Sequence, residues 1–508
     1  MKQRNEIFDL FVVGGGINGV GIARDAAGRG LKIALCDQGD LGGATSWTST
    51  KLIHGGLRYL EHREFRLVRE SLAEREVLLK NAPHLVRPLR FVLPHVPELR
   101  PAWMIRAGLF LYDHLSWRNS LPGSKRLDLR SSSFGGGLRA GFRQGFAYSD
   151  CLVDDARLVI VNARDASARS AKVMVRKGFA GAEVVDGIWQ VHLVDSETGE
   201  RSFGRARALV NVAGPWVAKV RSLIKGVTLG KRIRLIKGSH IVVPRLYNGE
   251  HAYILQNDDG RLVFVIPFEG LYSLIGSTEV EVQGEPGSFN ISDEEVNYLC
   301  RAVGRYLSRE VRPYDVVWSF AGLRPLFGDN EDNLSAITRD YEVELDTVNG
   351  TPVLTVYGGK ISTYRRLAEL VLEKLTTFFP DMKSSWTDSR PLPGGDIPNG
   401  DFDTFVREVA GEYSRLPQEL VQSLARRYGT LCREVLGGAR NVESLGQHFG
   451  AGLYAREVDY LINHEWARTA DDILWRRTKA GLHMSQDERT TVADYLSSRL
   501  QPAPGRTV

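Results

Sequence analysis

The chain reads as an α/β protein in which a parallel-sheet domain is interleaved with an antiparallel-sheet domain, with an all-α domain at its C-terminal end. Three observations predict this. Residues 8–37 form a complete β-loop-α-β unit, three short β runs lie between Tyr253 and Ile275, and the stretch after residue 400 carries apolar residues at three- and four-residue spacing.

The first unit is the most informative. The apolar run before Gly14 suits a buried parallel strand, and Gly14, Gly16 and Gly19 provide the G-x-G-x-x-G spacing. Gly14 permits the tight turn, Gly16 lets the backbone approach a pyrophosphate, and Gly19 lets the helix pack closely on the strand. The helix N-terminus then offers unpaired N–H groups to an anion. Leu31 to Asp37 forms the second strand, and Asp37 stands roughly 20 residues after the loop, where an acid can accept hydrogen bonds from an adenosine ribose. The domain is therefore expected to be Rossmann-like.

Farther along, Ala208 to Trp216 reads as another buried strand ending at Gly214, a second place where backbone could approach a nucleotide. Tyr253–Leu255, Leu262–Pro267 and Tyr272–Ile275 read as an antiparallel sheet of the kind that roofs a substrate cavity. Arg390 to Gly400 is rich in proline and glycine and reads as a linker. Helices are expected beyond it at 401–411, 417–428, 454–465, 470–481 and 486–500. The expected partition is a discontinuous cofactor domain (1–75, 150–235, 325–388), a roof domain (76–149, 236–324), a linker (389–400) and a helical domain (401–508).

Composition narrows the function. No stretch reaches the ~18 consecutive apolar residues of a membrane-spanning helix. The first strand begins within ten residues of Met1, so the chain is expected on the cytoplasmic side without a cleaved leader. Cys36, Cys151, Cys300 and Cys432 are scattered, which suits reduced structural thiols and gives neither a disulfide framework nor a metal site. A net charge of +5 permits anionic lipids or phosphorylated substrates. No zinc-finger or RNA-module signature is present, so a dedicated nucleic-acid binder is not expected.

Further motifs add a resemblance. Thr45-Ser46, Lys51-Leu-Ile-His54-Gly-Gly-Leu-Arg58-Tyr59, Asn211-Val-Ala-Gly214-Pro-Trp, Lys237-Gly-Ser-His240, Ala321-Gly-Leu-Arg324-Pro-Leu, Ala336-Ile-Thr-Arg339-Asp, Tyr357-Gly-Gly-Lys360-Ile-Ser-Thr363 and Asp471-Asp-Ile-Leu-Trp-Arg-Arg-Thr478 together resemble the FAD-dependent glycerol-3-phosphate dehydrogenases, most closely the bacterial aerobic type, over essentially the whole chain. Asp37 where that family often has Glu, and Asn211-Val-Ala-Gly in place of Ala-Thr-Gly or Ala-Ala-Gly, remove no reactive group. The resemblance implies non-covalent FAD and oxidation of glycerol 3-phosphate to dihydroxyacetone phosphate by hydride transfer to flavin N5. It also implies a membrane quinone as acceptor, peripheral attachment to the cytoplasmic face of the inner membrane, and a possible homodimer.

By the same resemblance the cofactor lies on Gly14, Gly16, Ile17, Asn18, Gly19 and Asp37. Thr45, Ser46, Ser49 and Lys51 line its middle, Gly214 adds a backbone approach, and Gly359, Lys360, Ile361 and Ser362 face the isoalloxazine. Phosphate binding favours arginine, whose planar fork donates paired hydrogen bonds. Arg324 and Arg339 are the expected phosphate ligands, with Arg58 and Tyr59 beside the substrate. His240 is expected to be the base, because an imidazole can take a proton at neutral pH, with Lys360 as electrostatic partner and His54 in reserve. Rival readings are a glycerol-3-phosphate oxidase using oxygen, an amine or hydroxy-acid flavin oxidoreductase, and a non-catalytic flavin-binding module. Trp103 to Tyr112, with Arg100, Arg106, Arg118, Lys125 and Arg126 around it, is a candidate contact with an anionic membrane surface, the competing reading being a buried core helix.

Overall fold

Strand Ile7–Val13, helix Ile17–Gly28 and strand Ile33–Cys36 form the first unit of the computed structural model, which describes residues 6–61, 63–115, 120–228, 230–327 and 340–500, and of Arg58 the backbone alone. The two strands pair in parallel, Leu10 with Ile33 and Val13 with Cys36. Strand Arg201–Asn211 lies parallel on the other side of the first strand, and Thr351–Gly358 is parallel to it in turn. Tyr341–Val348 closes one edge, Lys172–Met174 the other, and an antiparallel pair, Lys177–Val185 with Ile188–Asp195, extends from the outer half of strand 201–211. The strands are continuous Val, Ile and Leu runs because both faces of this sheet are covered. Helix Ile17–Gly28 packs against helices Asp155–Ala168 and Tyr364–Leu375. The absence of a side chain at Gly21 admits the Tyr364 ring, and at Gly28 the Trp386 ring.

The second sheet has ten strands and contains the three expected β runs as Ala252–Gln256, Leu262–Phe268 and Tyr272–Gly276. It is antiparallel except where Ala252–Gln256 meets Val86–Pro94. Its longest pairing joins Ile233–Pro244 to Trp318–Phe327, with Gly238 opposite Gly322 and His240 opposite Phe320. Its strands come from between the segments of the first sheet, so the chain passes repeatedly from one sheet to the other.

Helix Ala102–His114 lies on this second layer. Ile105, Leu109 and Tyr112 face inward, while Trp103 is 71% and Phe110 64% exposed, with Met104 and Leu111 also open to solvent. The segment is thus amphipathic and superficial, not a core helix.

Beyond the linker, helices Phe402–Glu412, Gln418–Tyr428, Cys432–Leu436, Ala455–His464 and Gln486–Leu500 close around Val409, Val421, Leu424, Val458, Leu461 and Val492, with one short hairpin at 448–454. The helix expected over 470–481 forms only over its first part and not as a regular α-helix. Asp472–Arg477 is a π turn, Lys479 is left-handed, and Ala480–Leu482 is a 3₁₀ turn. Asp472 accepts the backbone N–H groups of Arg468 and Thr469, and the Thr478 N–H reaches back five residues to the Ile473 carbonyl. These bonds displace the ordinary α ladder.

The helical domain is joined to the first by a fully buried ion pair, Arg157 of helix 155–168 with Glu465. Removing one partner of such a pair leaves a buried charge uncompensated, which costs about 3–5 kcal/mol. Glu465→Ala should lower the denaturation midpoint accordingly, whereas Asp128→Ala, at the exposed pair with Arg130, should leave it unchanged. Equal midpoints for both variants would show that the buried pair does not hold the domains together.

Candidate active site

The C-terminal ends of the parallel strands open into a cavity of about 470 Å³ whose far wall belongs to the second sheet. At its floor Gly14 adopts φ +118°, and a Cβ there would meet the Val212 carbonyl oxygen at 2.6 Å. A Cβ on Gly19 would lie 1.8 Å from the Gly14 oxygen, so only glycine allows helix 17–28 to start this close to the strand. Gly16 caps that helix without a side chain, the Ile17 N–H donates to Ser46 Oγ (3.0 Å), and no acidic residue occupies the first turn. The N–H groups of Asn18 and Gly19 have no intrahelical acceptor at this position. Asn18 Oδ1 is buried without a hydrogen-bond partner among the described residues. A diphosphate fits this cradle: free donors, a helix dipole of the right sign and no side chain in the way.

Asp37 stands at the end of strand 33–36. Its carboxylate accepts the N–H groups of Gly15 (2.7 Å) and Gly39 (2.8 Å). Burial pushes its pKa up, against the lowering effect of those bonds. The wall continues through Thr45, Ser46, Ser49 and Thr50, through Gly214 at φ +55°, and through Gly359 to Ser362. Gly359, at φ +100°, sits where a Cβ would strike the Asn18 amide.

Lys51 departs from expectation. Its ammonium does not line the cavity but binds both Asp155 oxygens (2.9 and 3.0 Å) and the Trp47 carbonyl (2.8 Å), with Lys51 3% exposed. The chain at Lys51 is left-handed (φ 60°), which turns the side chain into the protein. Ser49, two residues earlier, also donates to Asp155 (2.7 Å).

At the opposite end, Lys360 Nζ lies 3.6 Å from the centre of the Tyr59 ring. Arg324 crosses the backbone of Gly238, where a Cβ would meet Nη2 at 2.8 Å, and donates to Ser277 Oγ (2.9 Å), with Glu279 3.7 Å from its other terminal nitrogen. His54 is also on this wall, and the Ser362 hydroxyl lies 3.4 Å from both its N–H and its carbonyl oxygen. Arg324, Lys360 and His54 all line the cavity, as do Lys177, whose N–H donates to the Asp37 carbonyl (2.7 Å), and Lys219. Arg339 lies outside the described residues, as does the Arg58 side chain.

His240 also departs from expectation. It is completely buried, stacked on Phe320 with ring centres 4.9 Å apart, and reaches the cavity wall only through Thr50 Oγ1, 3.0 Å from Nε2. Burial first, then Arg324 and Lys51, hold its pKa well below 6.5. The imidazole is thus disfavoured as a cation, and Thr50 stands between it and the cavity. Thr50, Ser277 and Glu279 are site residues that sequence reasoning missed. The run of hydroxyls from Thr45 to Thr50 was a signal for the first, and nothing local marks the other two.

A family model described as FAD dependent oxidoreductase matches residues 9–365. The chain belongs to that family. The helical region, residues 385–502, matches the C-terminal domain of alpha-glycerophosphate oxidase. Among curated relatives, a glycerol-3-phosphate dehydrogenase of Pseudomonas aeruginosa is 53% identical over 97% of this chain and 96% of its own length. A D-erythritol 1-phosphate dehydrogenase of Brucella abortus is 49% identical over 97% and 98%. Among solved structures, the glycerol-3-phosphate dehydrogenase from Bacillus halodurans complexed with FAD superposes with TM-score 0.75 and 25% identity over 99% of this chain and 97% of that one. This flavoprotein's cofactor is FAD, and the open N–H groups of the cradle and the glycine-lined wall at 358–359 suit it.

Two results are expected from this geometry. Gly16→Val, whose side chain would enter the space between the helix N-terminus and Ser46, should yield protein without visible flavin absorbance, and Asp37→Ala should retain FAD more weakly. Full FAD content in the Gly16 variant would displace the diphosphate from this loop. His240, with its pKa lowered in the folded state, binds its proton more readily when unfolded, so it withdraws stability as pH falls through 6.5. Imidazole NMR should find it neutral throughout pH 6–8, and a titration in that window would contradict the burial argument.

Proposed function

We propose that this flavoprotein oxidises sn-glycerol 3-phosphate to dihydroxyacetone phosphate, with hydride transfer from C2 to flavin N5 and onward passage of electrons to a membrane quinone. Bound FAD supplies the hydride acceptor; the protein must hold a phosphate dianion, orient C2 and take the hydroxyl proton. Arg324 holds the phosphate, joined by Arg339 and Arg58 from the motifs that carry them, while Tyr59 and Lys360 flank the reacting carbon. The observation that carries the reading is that Arg324 and Lys360 line the same cavity as the glycine-rich loop and Asp37, which are built for a dinucleotide. A phosphate needs those cations; an amine substrate would be repelled by them.

His54 is the proposed proton acceptor because it stands on the wall. His240, behind Thr50, orients that hydroxyl, while burial and the nearby Arg324 and Lys51 disfavour its own protonation. Lys360 stabilises the alkoxide as it forms. A four-carbon polyol phosphate is the second reading, favoured by the Brucella relative's 49% identity over nearly all of both chains. The two substrates share a secondary alcohol beside a phosphorylated carbon and differ by one hydroxymethylene unit.

Anaerobic bleaching of the flavin tests the reading. Glycerol 3-phosphate should reduce it and glycerol should not, and the ratio of kcat/KM for glycerol 3-phosphate and D-erythritol 1-phosphate decides between the readings. Arg324→Ala should cost about 10–150-fold in kcat/KM, the equivalent of one charge-assisted hydrogen-bonding group at ~1.5–3 kcal/mol. His54→Ala should slow the reductive step by roughly 10²–10⁴-fold, and His240→Ala by less. Equal rates with glycerol would remove the phosphate site, and the reverse order of the histidines would move the base to the Thr50–His240 pair.

The exposed face of helix 102–114 supports attachment to the membrane where a quinone resides. Trp103 and Phe110 present aromatic surface beside Arg100 and Arg106, and an apolar helix face with basic neighbours settles at a headgroup boundary. Flotation with anionic liposomes should retain the protein at low salt, and Phe110→Asp should release it and slow quinone turnover while leaving flavin bleaching intact. No flotation by the unaltered protein, together with unchanged quinone turnover in the variant, would dismiss this helix as the contact.

A further inference from the structure

The π turn at 472–477 has no part in the chemistry above, yet it sends two arginines out of the helical domain onto one residue of the cofactor domain. Asp40, 6% exposed, belongs to the loop that follows Asp37 and contributes to the cavity wall. Arg477, with no exposed surface, places both terminal nitrogens on the Asp40 carboxylate, Nη2 at 2.7 Å from Oδ1, and also donates from Nη2 to the Glu465 carbonyl (2.7 Å). Arg476 Nε donates to Asp40 Oδ2 (2.7 Å), and its other end binds Asp472. Burial alone would lower the pKa of Arg477, but Asp40, Asp472 and Glu465 together outweigh it and raise it. Burial would raise the Asp472 carboxyl, but Arg476, Arg477 and Arg176 help hold it down at about 2. The cluster is charged and internally matched.

Successive side chains of a regular α-helix diverge by about 100°. The five-residue closure from Thr478 to Ile473 is a π bond, a feature concentrated at functional sites, and here adjacent arginines converge on one carboxylate. What Asp40 controls is the loop beneath the diphosphate cradle. The Gly42 N–H donates to the Gly15 carbonyl (2.9 Å), and Leu41 lies where a Cβ on Gly15 would stand only 2.8 Å away. On its other side the loop is held by the Arg176 N–H, which donates to the Gly39 carbonyl (2.9 Å), while the Arg176 side chain reaches Asp472 (2.9 Å). Residues 38–43 are therefore gripped from both sides by one ionic cluster rooted in the helical domain.

We propose that the helical domain is a working part of the FAD site: Arg476 and Arg477, acting through Asp40, are positioning residues that fix loop 38–43 against the glycine-rich loop and set the affinity and environment of the cofactor. The proposal adds to the substrate reading and does not depend on it, since it concerns FAD retention alone.

The test uses full-length apoprotein reconstituted with FAD, reading the dissociation constant by flavin fluorescence, the visible circular dichroism of bound flavin, and the thermal midpoint of the apoprotein. Arg477→Met should raise the dissociation constant by about tenfold or more and alter the visible dichroism. The double variant Asp40→Asn/Arg477→Met removes both charges, so its thermal midpoint should recover toward wild type while FAD binding stays weak. Arg427→Met, which breaks the Arg427–Glu457 pair inside the helical domain, should lower the midpoint without weakening FAD. Should Arg477→Met fail to fold, Arg476→Met, at the less buried arginine, carries the same expectation. FAD affinity that returns with stability in the double variant, or that falls equally in the Arg427 variant, would reduce the cluster to a structural staple and overturn the proposal.

Discussion

The buried pair between Lys51 and Asp155 is the constraint around which the cavity is arranged. Asp155 opens the helix packed against helix 17–28, and Lys51 ends the segment that carries Thr45 to Thr50 along the cavity before strand Leu52–Ile53 enters the second sheet. The pair is therefore located where the chain leaves one sheet for the other. Two charges this deeply buried are tolerated only when their hydrogen bonds are filled, and here Trp47, Ser49 and the Ala156 N–H fill them. The segment is held in place from behind, with the Ser49 hydroxyl donating to Asp155 and the Thr45 hydroxyl to the Leu323 carbonyl.

Charge is distributed along the cavity in a way that matches what must lie there. The nucleotide end has helix dipole, backbone donors, a carboxylate and Lys177 beside it; Arg324 and Lys360 are backed by Ser277, Glu279 and Tyr59. Glu279 and Ser277 aim the guanidinium, so its orientation is set before a substrate arrives, and less is lost in ordering it on binding. His240 remains neutral behind Thr50 and adds no further cation to a region already rich in them.

Much of this was legible because backbone requirements leave marks in sequence. Gly14 and Gly19 are fixed by backbone contacts that no side chain could survive, and the strands around them are apolar because they are buried on both faces. Lys51 was misread because its neighbours face the cavity and only its left-handed φ turns it inward, a conformation that a lysine does not announce. His240 is set back from the cavity for a related reason: it follows Gly238 on the same strand face, but Thr50, 190 residues earlier, covers it. The helix expected at 470–481 has the right apolar spacing, and what unwinds it is a set of partners that includes Asp40, 436 residues away. Each of these placements comes from a long-range polar contact, which leaves no local period to read.

A crystal structure of the FAD-bound protein soaked anaerobically with glycerol 3-phosphate tests the central claim most directly, that one cavity between the two sheets holds dinucleotide and phosphorylated alcohol end to end. The account predicts the FAD diphosphate on the N-terminus of helix 17–28, the substrate phosphate within about 3 Å of the Arg324 guanidinium, and the substrate hydroxyl turned toward His54. A phosphate bound away from Arg324, or a diphosphate held by any other loop, would contradict it.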